Sequence, residues 1–239
     1  MAVMIRPVPA LLGLGLALAP AAAHCAPSQS YRVNYQLVRP LDADFRFAVL
    51  GSLTQTPGST GTGDRTTLVV VPAGLEYKID RNWSAQGYLQ LNKDFFSFGP
   101  DKLEVRPVLG VTYKRALSPQ VEVGAWLRYE ARFQDVTGAD TFQNRLRLRP
   151  YVDFKFGANP GKPGSWHART EYEPRYVFGD GEGLFNSQQI RQAIGYKVSN
   201  QLTIDLRYSR DWNRKSAAAE FGRSNDAVTL QVNQVWMPK

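Results

Sequence analysis

One short segment limits what this chain can fold into. Residues 144–156 read NRLRLRPYVDFKF, in which arginine alternates with leucine and polar residues go on alternating with apolar ones. A helix turns about 100° per residue and would scatter these arginines around its axis, whereas successive side chains of a strand point to opposite faces. Pro150 would also interrupt a helix. The segment is therefore predicted to be a β-strand with one polar and one apolar face.

The same alternation recurs along most of the chain. Segments of about 10 to 14 residues alternate in this way and are separated by turn signals. Short connections between the predicted strands alternate with longer or more polar connections. This pattern is typical of an outer-membrane barrel with short turns at one end and longer loops at the other. Before four of the short connections, an aromatic residue is followed by a lysine, and such a pair is suited to a membrane interface. The four pairs are Tyr77-Lys78, Tyr113-Lys114, Phe154-Lys155 and Tyr196-Lys197.

These features favour an all-β fold, an antiparallel transmembrane β-barrel, over a soluble β-sandwich, whose strands also alternate. About eleven strands can be counted, yet bacterial single-chain barrels normally have an even number. Either the barrel has ten strands and the segment near Tyr31 lies inside it or at its seam, or one more strand escapes the count. In such a barrel the apolar face contacts outer-membrane lipid and the polar face lines the lumen.

The first 23 residues are predicted to be a secretory signal peptide. Arg6 provides a basic start, residues 11–19 form a short apolar core, and residues 21–23 offer an A-x-A cleavage site. No segment approaches the roughly 20 apolar residues of a transmembrane helix, which excludes an α-helical membrane protein. Residues 24–239 are then expected to form one barrel in the outer membrane of a Gram-negative bacterium, inserted by the barrel assembly machinery as a monomer.

The lumen is predicted to prefer anions. Cations outnumber carboxylates on the inward face of the strands between residues 122 and 197. Arginine suits this task because its planar fork binds a carboxylate through two parallel hydrogen bonds and stays protonated. An inward tyrosine would stack against a sugar ring. The predicted ligand-binding residues are Arg128, Arg132, Arg145, Arg147, Arg149, Arg169, Arg175 and Tyr151.

An alternative interpretation is that these arginines only neutralise carboxylates on neighbouring strands. The trio Arg145 to Arg149 has fewer carboxylates in its own strand than the others, and it is therefore the stronger candidate for a binding role. The alternative would pair Arg128, Arg132, Arg169 and Arg175 with Glu122, Glu130, Glu171 and Glu173. A facing strand supplies a neutral, hydrogen-bonding wall made of Ser84, Gln86, Tyr88, Gln90 and Asn92.

Other functional classes are not expected. The net charge of +8 is spread over many short segments, which argues against nucleic-acid binding. His24 and His167 are the only histidines, and neither Ser165 nor Glu171 forms a spaced triad with His167. Cys25 is the only cysteine, and no metal or cofactor motif is present. The alternative functions are a barrel enzyme acting on lipid or peptide and a plugged structural barrel.

Two segments resemble the small monomeric outer-membrane porins that are specific for oligogalacturonates and related acidic sugars. They are GLEYKIDRNWSAQG (74–87) and EVRPVLGVTYKRALSPQVEVGAWLRYE (104–130). The resemblance implies a 12-stranded barrel with a narrow pore whose arginines guide acidic oligosaccharides. The chain departs from that pattern at YRVNYQLV, which resembles the family's second strand, and at its end, where Trp236 is displaced from the usual aromatic terminus. The positions that match are Gly74, Tyr77, Lys78, Asn82, Trp83, Arg106, Pro107 and Tyr113.

Overall fold

The computed structural model describes residues 28–59, 63–136, 139–178, 184–214 and 219–236. The predicted signal peptide and Cys25 lie outside these residues. Within these ranges no helix is long and apolar enough to cross a membrane. The described strands are β1 (Ser28–Pro40), β2 (Phe45–Ser59), β3 (Gly63–Lys78), β4 (Trp83–Phe96), β5 (Lys102–Ala116), β6 (Val121–Val136), β7 (Ala139–Phe156), β8 (Trp166–Phe178), β9 (Leu184–Lys197), β10 (Leu202–Asn213) and β11 (Gly222–Val235).

These eleven described strands close into one barrel, so the predicted all-β barrel is confirmed. Consecutive strands are antiparallel, and because their number is odd, β1 and β11 run parallel where they meet at the seam. Their register continues without a shift from Ser28 opposite Asn225 to Val38 opposite Val235. The expected twelve or ten strands are therefore wrong. That expectation assumed antiparallel closure, but a parallel ladder also satisfies the edge N–H and C=O groups.

The two ends of the barrel differ less than the sequence indicated. Residues 41–44, 79–82, 117–120, 157–165 and 198–201 connect strands at one end, which we call the turn end. At the opposite end, the loop end, β2 continues to Ser59 and β7 starts at Ala139, so much of the sequence expected in long loops belongs to strands. In the described residues the predicted contrast between short turns and long loops is wrong, because strand pairing extends through these polar segments.

Polar side chains fill the inside of the barrel and apolar side chains cover its outside. On β7, Leu148 is 44% and Phe154 53% exposed, whereas Arg147 and Asp153 are buried at 9% and 3%. This is the arrangement predicted for residues 144–156. A soluble sandwich packs its apolar faces against each other, so the sandwich interpretation is wrong.

Aromatic side chains form a ring around the outside at each end of the barrel. At the loop end, Phe133 and Phe142 contact each other with ring centroids 4.9 Å apart. At the turn end Trp236 lies beside the seam, where its backbone N–H donates to the carbonyl of Val38 at 2.7 Å. Three cross-strand pairs lie at the turn end with centroids 4.8 to 4.9 Å apart: Phe45 with Tyr77, Trp83 with Tyr113, and Trp166 with Tyr196.

Candidate functional site

The predicted ligand-binding residues all lie on the inward faces of β6, β7 and β8. Arg128, Arg147 and Arg175 are opposite one another on these three strands, so they form a row of like charges. Such neighbours repel one another unless carboxylates separate them. The other predicted residues on these faces are Arg132, Arg145, Arg149, Arg169 and Tyr151.

Glu130 supplies the first of these carboxylates. Its side chain is completely removed from solvent, and its carboxylate lies 2.7 Å from Arg128, 3.0 Å from Arg147 and 3.5 Å from Arg106. Arg145 also donates to it, through Nε at 2.8 Å. A buried carboxylate is tolerated here because four guanidinium groups replace the water that it loses.

Glu173 supplies the second carboxylate, which pairs with arginines of β7 and β8. It accepts hydrogen bonds from Arg147, from Arg149 Nε at 2.5 Å and from Arg175 Nε at 2.7 Å. Arg147 therefore bridges the two buried glutamates. We refer to ten of the groups connected in this way as the ion-pair cluster: Glu104, Arg106, Arg128, Glu130, Arg132, Arg145, Arg147, Arg149, Glu173 and Arg175.

Arginines outnumber glutamates in the ion-pair cluster. Its third glutamate, Glu104 of β5, lies 2.8 Å from Arg106 and 2.6 Å from Arg132. The trio Arg145 to Arg149 was the stronger candidate for a binding role because its own strand has fewer carboxylates. Each of the three arginines has an ion pair, because β6 and β8 supply the glutamates that β7 itself lacks. Pairing across strands is not visible along a single strand.

A wide vestibule occupies the half of the lumen near the turn end. Its volume is about 620 Å³, and it begins at the connection 157–165. Lys155 Nζ donates to Glu122 Oε2 at 3.0 Å, and Arg169 donates to Asp153 Oδ2 at 2.7 Å. Cations and carboxylates are nearly balanced here, so the vestibule is polar rather than strongly positive.

Two inward aromatic rings line the vestibule. Trp126 lies between the guanidinium groups of Arg128 and Arg149, at 4.4 and 4.7 Å from its centroid. The Tyr151 ring covers Gly124 on the neighbouring strand, where a Cβ would come within 2.5 Å of the phenol. A glycine is therefore needed for the ring to lie against the wall. Arg169 lies 4.6 Å from the Tyr151 centroid, so guanidinium groups lie over both rings.

His167 also lies in the vestibule, but not in the arrangement a catalytic triad requires. Its Nε2 is 3.2 Å from Asp205 Oδ1. This pair occupies space that Gly195 leaves free on the strand between them. Ser165 donates its hydroxyl to the carbonyl of Lys162 at 2.6 Å. In the described residues, the structure does not join serine, histidine and carboxylate into one chain of hydrogen bonds.

A second, smaller cavity continues from the vestibule toward the middle of the barrel, and we call it the central cavity. Its volume is about 290 Å³. The two cavities share several lining residues, Trp126 and Arg149 among them. Of the described carboxylates only Glu76 lines it, and Glu76 is paired with Arg46 at 3.9 Å. Besides Arg46, five arginines face the central cavity from the inward sides of five strands: Arg32, Arg128, Arg149, Arg191 and Arg207.

Four of these five arginines pair with carboxylates that lie outside the central cavity. Arg191 donates to Glu171 at 2.9 Å and Arg207 to Asp205 at 2.7 Å, and both carboxylates line the vestibule instead. Arg32 makes no ion pair with any described carboxylate, and its Nε donates to a threonine hydroxyl at 2.9 Å. Six arginines and one described carboxylate on its wall give the central cavity a positive potential.

Sequence reasoning did not select three of the arginines that matter here. In YRVNYQLV, EVRPVLG and LTIDLRYS, polar and apolar residues alternate as they do in β7. The same alternation would have placed Arg32, Arg106 and Arg207 on the inward face. The predicted neutral wall is present on β4. It contributes Gln86, Tyr88 and Gln90 to the central cavity.

A family model described as "Protein of unknown function (DUF2490)" matches residues 30–223. The chain belongs to this family. The matched residues begin in β1 and reach the start of β11, so they include the whole ion-pair cluster. A search of curated proteins finds no match. The described residues of this family member contain no group of three or more His, Cys, Asp or Glu that would hold a metal ion.

Proposed function

We propose that this chain is a monomeric outer-membrane β-barrel of a Gram-negative bacterium that admits small anionic solutes to its lumen. Acidic oligosaccharides such as oligogalacturonates are the solute class that the sequence resemblance implies. The solute diffuses through the lumen and is not chemically changed. The observation that carries the proposal is the charge of the central cavity, whose wall contains six arginines, Arg46 among them, and one described carboxylate, Glu76.

The outer surface of the barrel supports the membrane part of the proposal. Apolar side chains cover it, and aromatic rings lie at both ends. The described strands have 12 to 18 residues, which exceeds the roughly 9 to 11 residues that a tilted strand needs to cross a bilayer. Polar strand ends then extend into water on both sides.

The vestibule supports acidic sugars as solutes. A volume of about 620 Å³ lies within the usual range of small-molecule sites. Arg149 and Arg169, which lie over the rings of Trp126 and Tyr151, offer planar donors for a carboxylate. A uronate carries such a carboxylate.

Tryptophan quenching tests the proposed orientation in the membrane. Trp83 and Trp166 are 44% and 45% exposed on the outer surface, whereas Trp126 points into the lumen. In vesicles with brominated acyl chains, we expect strong quenching of variants that retain only Trp83 or only Trp166. A variant that retains only Trp126 should keep most of its emission. Equal quenching of all three, or quenching of none, contradicts the proposed orientation.

Single-channel recording tests the proposed solute. In a planar bilayer with a salt gradient, the wild-type barrel should give small, anion-selective currents that oligogalacturonate interrupts. Arg191→Gln and Arg207→Gln should each reduce the anion preference by about threefold or more, because each removes a charge from the central cavity. Arg81→Gln is the matched control, since Arg81 is exposed in the connection 79–82 and makes the same charge change outside the lumen.

A plugged structural barrel is the second candidate. It is favoured by the exposure of Glu130 and Glu173, which is 0% and 2%, because side chains removed from water leave little room for a solute at their level. A correctly folded barrel that carries no current under any salt gradient would support this candidate and contradict the channel.

A further inference from the structure

Part of the wall of the central cavity is apolar, which is unusual inside this barrel. Val38 of β1, Leu50 of β2 and Val71 of β3 line the central cavity. The register places Leu50 opposite Gln36 on one side and opposite Val71 on the other. Val38, Leu50 and Val71 therefore all occupy the inward face. The lumen of a transmembrane barrel is normally polar. Apolar side chains that line a cavity there are stabilised when an apolar group covers them.

A β-bulge lies beside Val71 in this wall. The pairing of β3 with β4 shifts between Val70 and Ala73, and Pro72, which has no N–H to donate, lies inside the shift. Bulges of this kind redirect a side chain at functional positions in a sheet. Gly74 keeps the adjacent space open, since a Cβ there would lie 3.2 Å from the Cβ of the facing tyrosine.

The size and the chemistry of the central cavity limit its ligand. A volume of about 290 Å³ is at the lower end of small-molecule sites, which suits a small ligand rather than a chain of sugars. A sugar ring carries hydroxyl groups around its edge, and those facing Val71 and Leu50 would lack hydrogen-bond partners. The arginines, in contrast, favour one anionic head group.

We propose that the central cavity binds a small carboxylate with an apolar body. Cavity arginines, Arg191 and Arg207 among them, hold the carboxylate, and the hydrocarbon or aryl part lies against Val38, Leu50 and Val71. This inference assigns the central cavity an anion other than the acidic sugars proposed for the vestibule, and it rests on the proposed function for the route of access through the vestibule. Binding itself requires neither a bilayer nor a current.

Calorimetric titration of the folded full-length barrel in detergent tests the inference, with detergent alone as the blank. The probes are hexanoate, acetate, galacturonate and inorganic phosphate. Each buried methylene strengthens binding about fourfold, so hexanoate should bind at least about tenfold more tightly than acetate. Galacturonate and phosphate should bind no better than acetate. Equal affinities for hexanoate and acetate, or no binding of either, overturn the proposal.

Two variants locate the site within the lumen. Val71→Thr keeps the shape of the side chain but adds a hydroxyl, and it should weaken hexanoate about threefold or more while leaving acetate unchanged. Val70→Thr is the matched control on the outward face and should change neither affinity. Arg191→Gln should weaken both acids alike. A preference for hexanoate that survives Val71→Thr and Leu50→Thr unchanged contradicts the assignment.

The outcomes separate this inference from the channel. A barrel that binds hexanoate selectively but carries no current keeps the site and loses the proposed conduction. Anion-selective current without any preference for hexanoate over acetate keeps the channel and removes the apolar site.

Discussion

Glu130→Gln is expected to lower the free energy of unfolding by about 3 to 5 kcal/mol. Glu130 is fully buried and contacts four arginines of the ion-pair cluster. The amide keeps the size of the side chain but carries no charge, so four guanidinium groups each lose a counter-charge. Arg128 and Arg147, which face each other on adjacent strands, then repel each other without a carboxylate between them.

Urea unfolding of the refolded barrel, followed by tryptophan fluorescence and by gel mobility, measures this effect. Glu76→Gln is the matched control. The ion pair of Glu76 with Arg46 spans 3.9 Å between side chains that are 34% and 47% exposed, so its loss should cost no more than about 1 kcal/mol. Adding Arg145→Gln to Glu130→Gln should restore part of the stability, because it removes one unbalanced charge. Equal losses for Glu130→Gln and Glu76→Gln would show that the cluster does not stabilise the barrel.

Gly195→Ala is expected to destabilise the barrel by about 1 to 3 kcal/mol through overpacking. A Cβ at this position would overlap the Asp205 carboxylate and the His167 ring, which lie over the glycine inside the lumen. Asp205 is 2% exposed and also pairs with Arg207 at 2.7 Å, so it has little freedom to move aside. The same unfolding titration measures the change.

Two controls show whether the clash is the cause. No heavy atom lies within 4 Å of a Cβ added at Gly51, so Gly51→Ala in β2 should be nearly neutral. In a His167→Ala background the added methyl of Gly195→Ala meets no ring, and its cost should fall by about half. The explanation fails if Gly195→Ala costs the same with and without the histidine.

Strand positions and side-chain faces were predictable from sequence because both depend on near neighbours along the chain. The period of two in NRLRLRPYVDFKF places Arg145, Arg147 and Arg149 on one face, whatever lies on the next strand. The same reasoning applied to LTIDLRYS would have placed Arg207 on the inward face. The aromatic rings at the turn end were also visible, since Tyr77 and Tyr113 each come just before a turn.

The ion pairs and the central cavity were not predictable in this way, because they depend on register between strands. Arg145 meets Glu130 only because β6 and β7 align these two residues. The apolar wall likewise takes one residue from each of three strands, and Val71 joins it only because β2 and β3 align it with Leu50. The sequence of a single strand does not specify its register with the neighbouring strand.

The sequence by itself determined that the chain forms amphipathic strands with a polar inside and an apolar outside, because alternation is a local property of the backbone. Only the tertiary structure decided that eleven described strands close with β1 parallel to β11. It also decided which carboxylate each lumen arginine meets. Closure and register are set by hydrogen bonds between residues far apart in the chain, such as Ser28 and Asn225, and a strand's own side chains do not specify those partners.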